Sequence, residues 1–316
     1  VSVRGASAPL FFFLLQVGSP VTRSGESGKA YLFVLPWVLG FVLFTGGPIL
    51  ATVVLSFTKW DLIGFPNWIG LGNYARLFRQ GSEFWIVLKF TAFYTVFSVA
   101  ISVGWALFEA VLLNARNIRG TSLFGFFYFI PAVVPMVALT FAFQLILHKE
   151  LGILNYVLSL LGLRETPNWL VDPKLVVWVV VALNIYTFYA GQMMLIFDSA
   201  LKEVPRELYE AAEIDGAGRL TQFLKITLPA ISPILLFNLV TATISSLNTS
   251  FTLLYPLTAG GPGKVTQAIS LDIYHNAFKT FRVGYACAES IILFGIAALA
   301  SLLMFVLSKR WVYYEV

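Results

Sequence analysis

Six stretches of this chain run for 19 residues or more without a single Asp, Glu, Lys or Arg: 30–58, 90–108, 120–148, 175–197, 226–263 and 290–308. Crossing the hydrocarbon core of a bilayer takes about 20 apolar residues at ~1.5 Å rise each, and each stretch holds a long enough run. The fifth is too long for one helix. Its end, Thr258-Ala259-Gly260-Gly261-Pro262-Gly263, is turn chemistry, which places that helix at about 228–250. The expectation is an all-α integral membrane protein with six transmembrane helices. Only 12% of the 316 residues are charged, against about 25% in a soluble globular protein. That deficit argues against a soluble enzyme, a disordered chain and a nucleic-acid binder. The net charge of +5 belongs at lipid headgroups.

Residues 5–22 also lack charge, but their apolar run, Leu10 to Val17, is too short to span, and Gly18-Ser19-Pro20 ends it. With no convincing cleavage site, 1–29 reads as a surface-lying segment or a leader and not as a signal peptide. Pro36, Pro48, Pro131 and Pro135 predict kinks, tolerable in a membrane helix when neighbours meet the freed carbonyls. The lone Cys287 cannot form an intrachain disulfide and reads as a packing residue.

The most polar connection is DSALKEVPRELYEAAEIDGAGRLTQFLKIT, 198–227. Pro205 suits a first helical turn, with Glu207 and Glu210 near the positive end of the dipole. Leu208, Ala211 and Ala212 form a small apolar face. Gly216 and Gly218 break the helix, and a second short helix is expected from about Arg219 to Thr227, ended by Pro229. Two short helices at an angle, carrying small residues beside charge, suit docking in another protein's groove. With the N-terminus inside, the inner segments carry eleven Lys and Arg and the outer ones nine, which does not decide a topology.

Polar residues mark a candidate path through the membrane. Asn238, Thr241, Ser245 and Asn248 share one face of helix five. Thr91, Thr95, Ser98 and Ser102, with Tyr94 adjacent, form a second line on helix two. Helix four offers Asn184, Thr187 and Gln192 with Tyr186 and Tyr189. Hydroxyls and amides both donate and accept, as sugar hydroxyls do. Such lines face a water-filled path or bond between helices, and either reading fits. Glu109 and Glu289 sit at window ends and are expected at the interface. Leu151, Leu154, Val157, Leu158 and Leu161 follow helical spacing in the segment 149–172, which with 251–283 is expected to form external structure.

A nucleotide-binding P-loop is missing. Gly25-Glu26-Ser27-Gly28-Lys29-Ala30 and Gly260-Gly261-Pro262-Gly263-Lys264-Val265 both lack the hydroxyl after lysine. No HExxH occurs, His148 and His275 read as solvated or interface residues, and no metal site is expected.

The stretch Glu210-Ala211-Ala212-Glu213-Ile214-Asp215-Gly216-Ala217, followed by Ile226-Thr227-Leu228-Pro229 and Pro233, resembles the EAA signature of bacterial ABC-importer permeases. Gly152-Ile153-Leu154-Asn155, Asn168-Trp169-Leu170, Leu257-Thr258-Ala259-Gly260-Gly261-Pro262, Tyr274, Ala277-Phe278 and Gly284-Tyr285-Ala286 extend the resemblance over about 30–310. The nearest subgroup is the carbohydrate-uptake permeases of the maltose and glycerol-3-phosphate importers, and within it the maltose F-type partner.

The resemblance implies a type I importer permease fold, not an enzyme, in the cytoplasmic (inner) membrane of a bacterium or archaeon, with both termini cytoplasmic. It implies a six-helix domain at 30–310, a coupling loop at 199–227 and a tail at 311–316. Glu210, Ala211, Ala212, Asp215 and Gly216 would couple to the ATPase. Asn238, Thr241, Ser245, Asn248, Asn184 and Tyr94 are the candidate pathway residues. The implied partners are a second homologous permease, two ATP-binding subunits that hold ATP and Mg, an extracytoplasmic substrate-binding protein and membrane lipid. No cofactor is expected on this chain. Two residues depart from the pattern, Asp198 and Glu289, both usually apolar or small. The alternative is an ion- or proton-coupled secondary transporter, which needs an intramembrane charge site and usually internal repeats.

Overall fold

The computed structural model describes residues 26–114, 120–163, 165–186 and 188–313. The expectation for 1–29 therefore lies almost wholly outside the described residues, as does the end of the 311–316 tail. The chain divides into two units, 1–51 and 52–316.

In the first unit, helix α1 (Glu26–Phe41) runs through a π-helical turn (Val42–Gly46) into α2 (Gly47–Ser56), which carries on into the second. Pro48 has no N–H, and its ring would strike the carbonyl of residue 44 in a regular helix. The π turn, closed by the Gly47 N–H on the Val42 carbonyl, absorbs the misfit without ending the helix. Tyr31–Ser56 is thus one candidate span, with Tyr31, Phe33 and Phe44 largely exposed.

The second unit is organised around α4 (Phe84–Leu113). Before it come strands β1 (Thr58–Lys59) and β2 (Asn67–Trp68), an antiparallel pair, and helix α3 (Gly72–Leu77). The buried residues of α4 include Phe84, Val87, Thr91, Tyr94, Ser98, Ser102, Ala106 and Glu109, a stripe at helical spacing. Near one end, Phe90 and Tyr94 pack with Phe143, Val176, Val180, Leu253 and Leu254. Near the other, Val99, Val103, Ala106 and Ala110 pack with Met193, Met194, Phe197 and Ile231. Small residues there let the helix backbones approach closely, which is how membrane helices gain contact energy.

Three expected spans change shape. The third window is two helices, α5 (Thr121–Val133) and α6 (Met136–Ile146), bent by 103°. Pro131 is accommodated inside α5, whereas Val134 is extended because a residue before proline disfavours the α region. After the short helix α7 (Ile153–Leu160), the fourth window is α8 (Pro173–Leu183), a 3₁₀ turn (Asn184–Tyr186) and α9 (Phe188–Glu203). Asp172 caps α8 by accepting the Lys174 N–H at 2.8 Å, with Pro173 in its first turn. The loop after α9 holds α10 (Arg206–Ile214) and α11 (Arg219–Gln222), which continues through a π turn (Phe223–Thr227) into α12 (Leu228–Ala230). The second short helix runs to Ala230, one residue past Pro229, and the chain there bends by 70° into the next helix.

The fifth span, α13 (Ser232–Thr258), is longer than 228–250 and keeps Pro256 inside it. Gln144 meets the last carbonyls, bonding Pro256 O and, at 3.3 Å, Leu257 O. The loop expected from 251 thus starts at left-handed Ala259. It contains α14 (Ile269–Tyr274) and a π turn (His275–Lys279) before α15 (Val283–Ser308). By length and apolarity, three continuous helices and two bent pairs can cross a membrane, while the fourth window is split by its 3₁₀ turn. In and beside α7, Leu154 and Leu158 are half-buried, whereas Leu151, Val157 and Leu161 are exposed. Asn155 holds this segment down, donating to the Lys149 and Pro167 carbonyls and accepting from Trp169 Nε1 at 2.8 Å.

Contacts sort the ends of the spans onto two sides. Glu83 pairs with Lys264, and the Gly284 N–H reaches Trp60 O at 3.4 Å. At the other side, Asn114 donates to Asp198 at 2.7 Å and the Tyr313 N–H donates to Ser232 Oγ at 2.9 Å. The hydrogen bond and charge of Lys264 hold the Glu83 carboxyl below its ordinary value of 4.5. A depressed carboxylate stabilises the fold above its unfolded pKa, and that contribution fades as pH falls through the folded value. Lys264→Met should therefore abolish a small stability increment at neutral pH and leave stability unchanged at pH 3, checked by thermal melts in detergent. The exposure of both partners keeps the effect small.

Candidate functional site

The 199–227 loop is a rigid elbow. Helix α10 ends in a Schellman turn: the Ala217 N–H bonds Ala212 O at 2.8 Å and the Gly216 N–H bonds Glu213 O at 3.1 Å. Gly216 takes φ +76°, which glycine adopts without a Cβ penalty. Gln222 Nε2 then ties to Ala217 O at 3.0 Å, fixing the start of α11. Across the elbow, the Tyr209 hydroxyl meets Thr227 Oγ1 at 2.9 Å. At its base, Asp198 accepts from Asn114, at the end of α4, and pairs with Lys202 at 2.6 Å. The polar departure at 198 is thus a clamp joining two helices. None of the residues of α10 is buried. Glu210, Ala211, Asp215 and Gly216 are exposed and Ala212 is half-buried, while Ile214 and Leu220 are 88% and 71% exposed.

The candidate path residues separate into two sets. Asn184 Nδ2 donates to Tyr94 Oη at 2.7 Å, and Ser102 Oγ donates to Asn184 O at 3.4 Å. Tyr94 is buried, so this set pins the 3₁₀ turn to α4. The second set grades along α13. Asn238 is buried with neither side-chain polar atom partnered, Thr241 returns its hydroxyl to Phe237 O and Asn238 O, Ser245 is half-buried and Asn248 is exposed. Asn248 borders a cavity of about 530 Å³ between α13 and α15, with Ser290 and Ser301. The side chains of Tyr186, Thr187 and Tyr189 lie outside the described residues. An unsatisfied buried amide costs roughly 1–3 kcal/mol. Asn238→Leu should therefore raise the melting temperature of the purified chain, with a gain of about 1 kcal/mol or more.

Both span carboxylates, expected at the interface, are buried within the protein. Glu109 is buried. Glu289 lies inside α15 with none of its surface exposed and accepts from Asn276 Nδ2 at 3.1 and 3.2 Å. Nearby, Gln267 bonds Asp272, and both are buried. Window-edge reasoning missed this cluster because the partner comes from the chain folding back before α15. Among the described residues no three His, Cys, Asp or Glu side chains gather where a metal could sit.

Residues 99–313, which include the elbow, match the family described as binding-protein-dependent transport system inner membrane component. The chain belongs to this family. It is 37% identical over 288 residues to YesP, a probable ABC transporter permease protein of Bacillus subtilis (strain 168), covering 90% of this chain and 92% of the relative. It is 31% identical over 284 residues to MalF, the trehalose/maltose transport system permease protein of Thermococcus litoralis, covering 89% and 90%. A chain of the bacterial alginate ABC transporter, solved in complex with an alginate pentasaccharide-bound periplasmic protein, superposes with a TM-score of 0.79 at 22% identity, over 92% of this chain and 98% of that one. At that identity the likeness is one of fold. This member of the binding-protein-dependent family is a membrane transport subunit, not an enzyme, and has the importer permease fold. Family membership displaces the secondary-transporter alternative.

Proposed function

We propose that this permease forms half of the translocation path of an ATP-driven sugar importer, paired with a second permease and two ATP-binding subunits that carry ATP and Mg. The 199–227 elbow faces the cytoplasm, as do both termini, and transmits closure of the ATPase through Glu210, Ala211, Ala212, Asp215 and Gly216. The extracytoplasmic binding protein delivers sugar to the opposite side. Thr241, Ser245 and Asn248 line part of the path, with Asn238 buried behind them, and Tyr94 and Asn184 hold the broken fourth span beside it. The six spans occupy 30–310.

The observation carrying this reading is that α10 buries no residue of its own yet is tied through Tyr209 to Thr227, at the foot of the next span, while Asp198 clamps the preceding α9 to α4. A helix held rigidly but left bare can pass a displacement from an outside body to α4 and α9. Relatives named for trehalose/maltose transport support a sugar as cargo. Ala211→Cys, in a Cys287→Ser background, should cross-link to a co-purified ATP-binding subunit with a yield that changes on adding ATP. Glu210→Lys should cut uptake about tenfold or more at unchanged membrane level. Wild-type uptake in Glu210→Lys, with no cross-link at 211, would overturn the proposal.

A further inference from the structure

On the side of the membrane opposite the elbow lies a small basic cup of about 290 Å³ that the transport reading does not use. Lys59 of β1, Arg76 of α3 and Arg282, the residue before α15, converge on it, with Trp60 and Tyr285 in its wall. Three cations from three elements thus meet one carboxylate, Asp61. That carboxylate accepts the Ile63 N–H at 3.2 Å and shapes the turn. Glu83, which feels the charge of Arg282, is already paired with Lys264. Among the described residues none of the three cup cations closes an ion pair with a carboxylate.

The depth of the cup follows from the chain. Lys59 lies three residues beyond the span Tyr31–Ser56, and Arg282 immediately precedes the span Val283–Ser308. Both are therefore at the level where hydrocarbon gives way to headgroups. Beside the cup, the β1–β2 hairpin presents Ile63 and Phe65, 83% and 93% exposed. Apolar tips of that size are poorly placed in water but well placed among acyl chains, and Trp and Tyr are characteristic of the interface. Cations, interfacial aromatics and exposed apolar tips thus meet on one short stretch of surface, the groups that a phospholipid's phosphate, glycerol region and acyl chains would each contact.

We propose that this cup binds the headgroup phosphate of an anionic phospholipid in the outer leaflet. Lys59, Arg76 and Arg282 hold the charge, and the hairpin tip packs on the acyl chains. Arginine suits the phosphate because its planar fork can donate two bonds to one anion.

The test is native mass spectrometry of the full chain in its assembled complex, delipidated and then offered dioleoyl phosphatidylglycerol or dioleoyl phosphatidylcholine. The wild type should retain phosphatidylglycerol selectively. Arg76→Gln and Arg282→Gln should each lower that retention about fivefold, the ordinary worth of one basic group at an anionic surface, with phosphatidylcholine unaffected. Should either Gln variant fail to assemble, Lys59→Gln at an exposed position carries the same expectation. Equal retention of the two lipids by the wild type, or undiminished phosphatidylglycerol on the variants, would overturn the proposal. So would displacement of the lipid by millimolar inorganic phosphate, which would mark a site for soluble anions. Unchanged lipid retention with weakened capture of the binding protein would reassign the cup to protein docking and sink it equally.

Discussion

Gly216→Pro should abolish coupled transport, lowering uptake tenfold or more, while the chain still inserts and ATP hydrolysis persists. Proline fixes φ near −65°, where this residue sits at +76°. It also removes the N–H that bonds Glu213 O, and it pushes Asp215, now at φ −74° and ψ 0°, towards extended geometry. The Schellman turn cannot survive all three changes, so α10 and α11 lose their fixed angle. Nothing lies within 4 Å of where a Cβ at 216 would stand, so space is not at issue and conformation is tested alone. Gly216→Ala should then cost roughly 1–2 kcal/mol at the turn and reduce uptake partially. Gly216→Asn should do least harm, because asparagine visits the left-handed region. Uptake in proteoliposomes, read beside ATPase activity, gives the order Asn above Ala above Pro. Equal uptake across the series would remove the elbow from the mechanism.

The second large effect is at the other side of the membrane. A Cβ at Gly284 would lie 2.0 Å from the Thr58 carbonyl oxygen and 3.2 Å from Leu55 O, all of it backbone. That backbone is itself fixed, since Asn73 Nδ2 donates to both Ser56 O and Thr58 O at 2.8 Å. Neither side can yield cheaply. Gly284→Ala should destabilise the chain by about 1–3 kcal/mol or more, as overpacking does, and lower both the melting temperature and the amount in the membrane. Gly295, further along α15, has nothing within 4 Å of its Cβ position. Gly295→Ala should be neutral or mildly stabilising, since alanine favours helix by about 1 kcal/mol. Similar melting temperatures for the two variants would contradict the close approach.

The sequence made the spans legible because the absence of charge reports on the solvent around a helix. It could not report where a span bends. Pro36, Pro131, Pro135 and Pro256 all lie in apolar windows, yet only Pro135 accompanies a sharp break. Pro256 stays within α13, whose last carbonyls are met by Gln144, over a hundred residues away. Glu289 likewise has a partner that its own window does not show. A carboxylate beside an apolar window reads as water-seeking, but Asn276 meets it inside the protein. The turn of the elbow, by contrast, was readable, since its backbone bonds are local and Gly216 is where a left-handed turn needs it, whereas the Asn114–Asp198 bond at its base was not. Tyr94 and Asn184, read from the sequence as candidate pathway residues, are each other's hydrogen-bond partners.

The 103° break between α5 and α6 has a consequence for the surrounding lipid. The arms are 13 and 11 residues, about 20 Å and 16 Å long at ~1.5 Å per residue. Set nearly at right angles, they reach well short of the ~30 Å hydrocarbon thickness. Where this pair crosses as one broken span, the hydrophobic mismatch along its flank would be met by local thinning of the bilayer or by a neighbouring subunit that shields the gap, and the annulus of lipid around such a flank would not be uniform.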